Sequence, residues 1–257
     1  MIGKELAFDE SLPALERLYI RLFGVPINGL RIRARRVLPY ITPKFRRILD
    51  SGCGQGIFTF EVARRLPAST ITGMDTNSEL IDRNRRIADI AGMSNCRFEC
   101  GDIADIRPDN QYDLILSIDV LEHIENDVRV LNSYYRALAP SGELLLHAPG
   151  YHRRWPLFSW MVNFEVEGHC RPGYTMEEIA GKVEGAGFAI IERYYTYGWL
   201  DTISNYLSYA VTGARMKRKH LYALVFPILL FISYFGRNSR PERGAGVFIH
   251  ARKQRPS

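Results

Sequence analysis

Short apolar runs alternate with amphipathic stretches along most of the chain. Five runs are predicted to be strands, of which 112–117 has the near-continuous apolar pattern of a parallel strand that helices cover on both faces. They are residues 47–50, 70–75, 96–100, 112–117 and 143–148. Helical spacing of apolar positions marks three stretches between or beside them, at 57–66, 78–91 and 126–139. This alternation predicts an α/β fold with a doubly wound, mostly parallel sheet.

The two ends of the chain depart from this alternation. Residues 10–40 carry a helical apolar stripe, which Gly24 and Pro26 interrupt, and then a basic stretch. Strand patterns at 188–192 and 246–251 are separated by about fifty residues, too many for a hairpin loop. We therefore predict an N-terminal helical cap, a sheet domain in two pieces, and a helical insertion before the last strand. Their bounds are 1–45, 46–194 with 246–257, and 195–245.

Composition fits one globular domain, because 257 residues with 46% hydrophobic content can bury a sizeable core. The four cysteines contain no C-x-x-C pair. We interpret them as reduced thiols rather than as a disulfide framework or a zinc site. Residues 1–16 lack the apolar core and cleavage site of a signal peptide. These features favour a cytoplasmic protein.

Positive charge is concentrated near the C-terminus. The net charge is +6, but residues 213–257 contain ten Lys or Arg and one acid, whereas residues 1–212 carry a net charge of −3. This distribution indicates a local anionic partner rather than a generally cationic surface.

The insertion contains fifteen consecutive uncharged residues, at 221–235. A helix needs about 20 apolar residues to span a bilayer, and Pro227 interrupts this run. Basic residues flank it at 217–219 and at 237–243. An apolar, aromatic run between cations favours a segment that lies on an anionic membrane surface, at the inner face of the cell membrane. A buried lid over the acceptor explains the run equally well, and both can hold.

The most specific motif lies where the first predicted strand meets its helix. Asp50, Gly52, Gly54 and Gly56 occupy alternate positions there. Such a turn lets the backbone approach a ligand closely, while the following helix points N–H groups at it. A dinucleotide fingerprint would need its third glycine at position 57, and the acid would repel a pyrophosphate. The same acid suits a ligand with ammonium and sulfonium charges.

This acid-x-Gly-x-Gly-x-Gly motif resembles the first motif of class I S-adenosylmethionine-dependent methyltransferases. The resemblance implies S-adenosylmethionine as cofactor and a seven-stranded sheet whose last strand is antiparallel. It also implies that cofactor-binding residues follow successive strands. These are Asp75 and Thr76 at the ribose, Asp102 and Ile103 at the adenine, and Ser117 beside the cofactor.

Segments at 120–124, 138–143 and 168–175 resemble the ubiquinone- and menaquinone-biosynthesis branch of small-molecule methyltransferases. An oxygen or carbon acceptor in such an enzyme needs a base. The first candidate is His169, in a polar loop, with His123 and Tyr174 as further catalytic candidates; a histidine that only holds this loop is an equal alternative. Two other histidines follow predicted strands, His147 and His152.

The segment 119–123 has a second interpretation. In a helix, Asp119, Glu122 and His123 would share one face. The pattern resembles the divalent-metal site of ubiquinone O-methyltransferases, and His169 could complete a set of two carboxylates and two imidazoles. Relatives that use no metal share the same Glu-His-Ile sequence, so the sequence favours a site without metal.

The combined pattern predicts a methyltransferase that acts on an amphipathic small molecule or a lipid-like acceptor. A nucleic-acid methyltransferase usually places aromatic residues among its cations, whereas here the aromatic residues lie inside an aliphatic run. The remaining alternative is a cofactor-binding membrane adaptor without catalysis, against which the acids Asp50, Asp75 and Asp102 argue. The sequence does not indicate the oligomeric state.

Overall fold

The structure is a computed structural model that describes residues 1–108, 111–151, 168–212, 219–236 and 239–254. It contains a seven-stranded sheet in the order β3-β2-β1-β4-β5-β7-β6. The strands are β1 (Arg47–Ser51), β2 (Thr70–Asp75), β3 (Cys96–Cys100), β4 (Tyr112–Ile118), β5 (Leu138–Pro149), β6 (Phe188–Thr196) and β7 (Gly246–Lys253). β7 is antiparallel to both neighbours, and the other pairs are parallel. The predicted fold class is confirmed.

Helices occupy the connections and both ends of the alternation. They are α1 (Ala14–Phe23), α2 (Asn28–Val37), α3 (Ile57–Arg65), α4 (Ser78–Ile90), α5 (Asp127–Ala137), α6 (Met176–Gly185), α7 (Trp199–Thr212) and α8 (Lys219–Phe235). Short 3-10 turns lie at Lys4–Phe8, Leu38–Tyr40, Ile103–Asp105 and Leu121–His123. α1 and α2 lie within the bounds of the predicted N-terminal cap, and α7 and α8 lie within those of the predicted insertion.

The core forms two layers, because successive strand residues point to opposite faces of the sheet. Ile48 of β1 packs in one layer, with α3, α4 and the N-terminal segment. Its neighbour Leu49 packs in the other layer, with α5 and α6. Both side chains are fully buried. Coverage of both faces explains why the central strands β4 and β5 have near-continuous apolar sequences rather than alternating ones.

The basic stretch of α2 is directed into the protein rather than toward solvent. Arg35 and Arg36 form ion pairs with the buried carboxylate of Asp201 in α7, at 3.2 and 3.3 Å. The side-chain amide of Asn28 donates a hydrogen bond to the Ser204 hydroxyl at 2.9 Å. These contacts join the cap to the insertion, so the arginines are not available as a nucleic-acid surface.

Two local predictions differ from the structure. The helix expected to reach residue 139 ends at Ala137, and β5 already begins at Leu138. The ring of Pro140 disfavours helical backbone at the residue before it, which explains the early end. The segment 119–123 contains only a three-residue 3-10 turn, and Asp119 precedes it with a left-handed φ of 53°.

α8 spans seventeen residues with Pro227 inside the helix. In the part of the chain that the structure describes, no helix combines the length and hydropathy that a bilayer span needs.

Candidate functional site

A glycine loop connects β1 to α3 at the carboxyl edge of the sheet. Gly52, Gly54 and Gly56 all have left-handed backbone, with φ of 67°, 48° and 71°. A Cβ atom on Gly52 would lie 2.7 Å from a methyl carbon of Val120. Glycine is therefore required at this position by both the backbone conformation and the close approach of Val120.

Asp75, at the end of β2, holds this loop in place. Its Oδ2 atom accepts a hydrogen bond from the Gly54 N–H at 2.8 Å, and its Oδ1 atom accepts one from the Asn77 N–H at 3.0 Å. The Asn84 side chain donates to the Gly54 carbonyl at 2.8 Å. The predicted ribose-binding acid and the predicted glycine loop thus lie in direct contact.

A cleft of about 640 Å³ opens beside this loop. Its lining combines loop, strand-end and helix-start residues. They are Gly52, Asp75, Thr76, Asp102, Ile103, Ala104, Asp119, Val120, His123, Ile124, Glu125, Asn126 and Arg129. Five of the predicted cofactor-binding residues therefore share one cleft, because strands β1 to β3 all end at this edge. Gly54 and Gly56 belong to the same loop but lie outside the lining set.

Two of the predicted cofactor residues are buried beneath the loop rather than in the cleft. Asp50 accepts a hydrogen bond from the Thr59 hydroxyl at 2.6 Å, and burial raises the pKa of this carboxyl to about 6. The Ser117 hydroxyl accepts a hydrogen bond from Tyr134, whose hydroxyl also lies 2.6 Å from Ser51 Oγ. This position suits Ser117 to a supporting role under the cofactor site.

The raised pKa of Asp50 predicts pH-dependent cofactor binding. The α-amino group of an amino-acid ligand stays charged below about pH 7.7 and favours an ionised carboxylate. The carboxyl changes from mostly protonated at pH 5 to mostly ionised at pH 7, so S-adenosylmethionine affinity should rise about tenfold over this range. Calorimetric titration measures it, with Asp50→Asn as control. An equally steep pH dependence in Asp50→Asn would assign the titration to another group.

Three potential proton-accepting or metal-ligating side chains lie close together, and one of them, His123, lines the cleft. One ligand atom from each of Glu122, His123 and His169 lies within 4.8 Å of the others. The two imidazole rings form an edge-to-face pair with centroids 4.5 Å apart. His123 Nδ1 lies 2.9 Å from the Gly168 carbonyl oxygen. That contact makes Nδ1 the protonated nitrogen, which leaves Nε2 as the acceptor.

Tyr174 lies in the core rather than at the cleft surface. Its hydroxyl donates to the Asp127 carboxylate at 2.8 Å and lies 3.1 Å from the Leu121 carbonyl. Burial and the hydrogen bond to Asp127 raise the pKa of Tyr174 well above its usual value. Arg171 and Lys182 also form ion pairs with Asp127. This network fixes the loop that carries His169, and it indicates a positioning role for Tyr174.

Asp119 does not belong to the Glu122–His123–His169 group. One carboxylate oxygen forms an ion pair with Arg33 at 2.7 Å, and the other lies 2.6 Å from His147 Nδ1. His147 Nε2 in turn lies 2.9 Å from the Thr196 hydroxyl. Asp119, whose backbone is left-handed, thus contacts α2 and β5 rather than the other proposed metal ligands.

Sequence reasoning missed several residues of this region. Asp127 and Asn126 begin α5, where the Asn126 side chain accepts a hydrogen bond from the Arg129 N–H. A polar N-cap at the start of the helix predicted over 126–139 was a usable signal. No local sequence signal could have predicted the ion pair between Arg33 and Asp119, because the two residues are 86 positions apart. The candidate His152 lies outside the described residues.

Comparisons with known proteins agree with this geometry. A family model described as a methyltransferase domain matches residues 44–184. A trans-aconitate 2-methyltransferase from Deinococcus radiodurans is 30% identical over 108 residues, covering 42% of this chain and 40% of the relative. A ubiquinone biosynthesis O-methyltransferase from Coxiella burnetii is 29% identical over 114 residues, covering 44% and 47%. The match thus spans less than half the length of these curated relatives.

Among solved structures, that of the [4+2]-cyclase SpnF superposes with a TM-score of 0.62. It is 20% identical and covers 88% of this chain and 81% of that one. Similarity at this level of identity concerns the fold alone, because one fold hosts different reactions.

Proposed function

Since the chain belongs to the S-adenosylmethionine-dependent methyltransferase family, we propose that it methylates an oxygen or carbon atom of an amphipathic small molecule. The observation that carries this proposal is the single cleft that Gly52, Asp75, Asp102 and His123 share. The lining combines predicted cofactor residues with the imidazole of His123. In this proposal the cleft accommodates both the methyl donor and the acceptor.

The proposed cofactor site supplies binding and orientation. Asp75 takes the ribose hydroxyls, Asp102 and the Ile103 backbone take the adenine, and Asp50 compensates the positive charge of the methionine end. Transfer from a sulfonium is an in-line displacement on an already reactive carbon. Positioning of the two reactants and exclusion of water therefore provide much of the acceleration.

The proposed base is His169, with His123 as its neighbour. Removal of the acceptor proton raises the nucleophilicity of an oxygen or carbon atom during attack on the methyl group. We expect His169→Gln to lower kcat by about 100-fold while S-adenosylmethionine binding changes less than twofold. Steady-state kinetics and calorimetry measure the two quantities. Unchanged kcat in His169→Gln would limit His169 to holding its loop.

The same side chains also offer a donor set for a divalent cation. Glu122, His123 and His169 together provide one carboxylate and two imidazoles, which borderline cations accept. A cation there would polarise the acceptor oxygen. With Asp119 held by Arg33, we favour the metal-free base, and activity should survive exhaustive chelation. Activity lost on chelation and restored by Zn²⁺ or Mg²⁺ would assign the group to a metal.

The proposed acceptor is amphipathic and resides at a membrane surface. The support is the apolar insertion and the basic C-terminal segment. The ubiquinone biosynthesis name of one relative agrees with a quinone- or lipid-like acceptor, whereas the trans-aconitate name concerns a small carboxylic acid. All four cysteines are free thiols, which supports a cytoplasmic location at the inner face of the membrane.

The decisive experiment uses S-adenosylmethionine with a labelled methyl group. The protein is incubated separately with a membrane-lipid extract, a water-soluble metabolite extract and total RNA, and labelled products are identified by mass spectrometry. We expect label in the lipid fraction. Label in soluble acids alone would overturn the lipid-like acceptor, and label in RNA would establish a nucleic-acid methyltransferase. Cofactor binding without label in any fraction would indicate a non-catalytic adaptor.

A further inference from the structure

Exposed apolar side chains are concentrated on two helices from opposite ends of the chain. Of the seventeen large apolar side chains exposed among the described residues, ten lie on α1 and α8. They are Leu15, Leu18, Leu22 and Phe23 on α1, and Leu221, Leu224, Ile228, Phe231, Tyr234 and Phe235 on α8. Single exposed apolar residues are common, whereas such a concentration marks an interaction surface.

α8 has two apolar faces, of which only one is covered. Tyr222, Phe226 and Leu229 are buried, and α8 packs against α7 and α2. On the opposite side, Leu224 and Phe231 are 76% and 66% exposed. The exposed apolar residues of α8 therefore do not contribute to its packing against α7 and α2.

α1 continues this uncovered face. Leu15, Leu18 and Leu22 follow a helical i, i+3, i+7 spacing and are more than half exposed. Tyr19 lies beside this stripe on the helix, and its hydroxyl donates a hydrogen bond to the Ala223 carbonyl of α8 at 2.9 Å. The two helices that carry the exposed stripes are therefore in contact at Tyr19 and Ala223. We name the ten exposed side chains of α1 and α8 the α1–α8 face.

We propose that the α1–α8 face docks onto an anionic lipid bilayer. This proposal rests on the proposed function, and it identifies the surface by which the enzyme reaches a membrane-borne acceptor. Residues 213–238, which include α8, contain five Lys or Arg and no acid, and Arg21 is exposed beside the leucine stripe of α1. The apolar side chains suit the acyl region at the bilayer interface, and the flanking cations suit its anionic headgroups.

The charge pattern favours lipid over a second copy of the chain. A two-fold dimer through the α1–α8 face would use the same surface on both chains. Such a dimer would pair two copies of a segment, residues 213–238, whose sequence contains five Lys or Arg and no acid. Anionic headgroups neutralise these cations, and each cation near such a surface strengthens binding by about fivefold.

Docking through this face would also orient the cleft. Arg33 of α2 forms an ion pair with Asp119, which lines the cleft, and α2 packs on both helices of the insertion. These contacts connect the proposed lipid-binding surface to the cleft through α2.

The test is flotation of the full chain with vesicles of phosphatidylcholine alone or with phosphatidylglycerol. Two double variants remove apolar area from the two helices separately, Leu18→Gln/Leu22→Gln on α1 and Leu224→Gln/Ile228→Gln on α8. The matched control is Ile90→Gln/Ile191→Gln, which changes two exposed isoleucines on α4 and β6. Melting temperature, S-adenosylmethionine affinity and light scattering are recorded for each protein.

We expect binding to anionic vesicles only, weakened at least tenfold in both double variants and less than twofold in the control. Absence of vesicle binding by the unmodified protein would overturn the proposal, and so would undiminished binding of the α1 variant. A dimer that both double variants dissociate, without vesicle binding, would assign the face to a second copy. Loss of S-adenosylmethionine binding by the unmodified protein would refute the proposed function separately, because flotation does not depend on the cofactor.

Discussion

Replacement of Asp75 by alanine should weaken S-adenosylmethionine binding by about 100-fold. The carboxylate is proposed to accept both ribose hydroxyls, and two charge-assisted hydrogen bonds contribute roughly 3 kcal/mol together. It also anchors the Gly54 N–H in the unliganded loop. Isothermal titration calorimetry measures the affinity directly.

Two further variants separate these contributions. Asp75→Asn keeps an oxygen acceptor for the loop and loses the charge, so we expect a loss of about tenfold. Asp89→Ala removes an exposed acid from the neighbouring helix α4 and should leave affinity unchanged. If Asp75→Ala binds the cofactor within twofold of the unmodified protein, the ribose assignment is wrong.

Replacement of Asp127 by alanine should lower the free energy of unfolding by about 3–5 kcal/mol. The buried carboxylate compensates Arg171 and Lys182 and accepts the Tyr174 hydroxyl. Its removal leaves these partners uncompensated in a low-dielectric site. Urea denaturation followed by circular dichroism measures the change. Asp82→Ala, which breaks an exposed pair with Arg85, should change stability by no more than about 0.5 kcal/mol.

Tyr174→Phe tests the same network and the predicted catalytic role of Tyr174 together. Loss of one buried hydroxyl should cost about 1–2 kcal/mol of stability and leave kcat within threefold in the folded protein. A stable Tyr174→Phe protein without turnover would support the predicted catalytic role of Tyr174. A destabilised protein with normal kcat would identify it as a positioning residue for the His169 loop.

The fold could be predicted from local pattern because its central strands, β1, β4 and β5, are buried on both faces. Largely apolar runs such as 112–117 and 143–148 are stable mainly in the centre of a parallel sheet that helices cover on both faces. Cap signals were equally local: Asn77 and Thr175 accept hydrogen bonds from the backbone at the starts of α4 and α6. These helix caps depend on residues that lie within four positions of one another, so they can be recognised from the sequence alone.

The grouping of the proposed cofactor residues could also be predicted from the sequence, whereas the grouping of the proposed acceptor-side residues could be predicted only in part. Parallel strands end at one edge, so acids at successive strand ends must approach the glycine loop. Asp119 shows where this reasoning fails. Helical spacing would place it with Glu122 and His123, but a left-handed backbone and an ion pair with Arg33 place it elsewhere.

The sequence by itself determined the sheet, its covering helices and the glycine loop with Asp75, because periodicity and turn chemistry act over short distances. Only the tertiary structure decided which partners distant residues take. Packing buried Tyr174 against Asp127, turned the arginines of α2 toward Asp201 and Asp119, and set the leucine stripe of α1 beside α8. Such long-range pairs depend on how helices from opposite ends of the chain pack together, which no local pattern specifies.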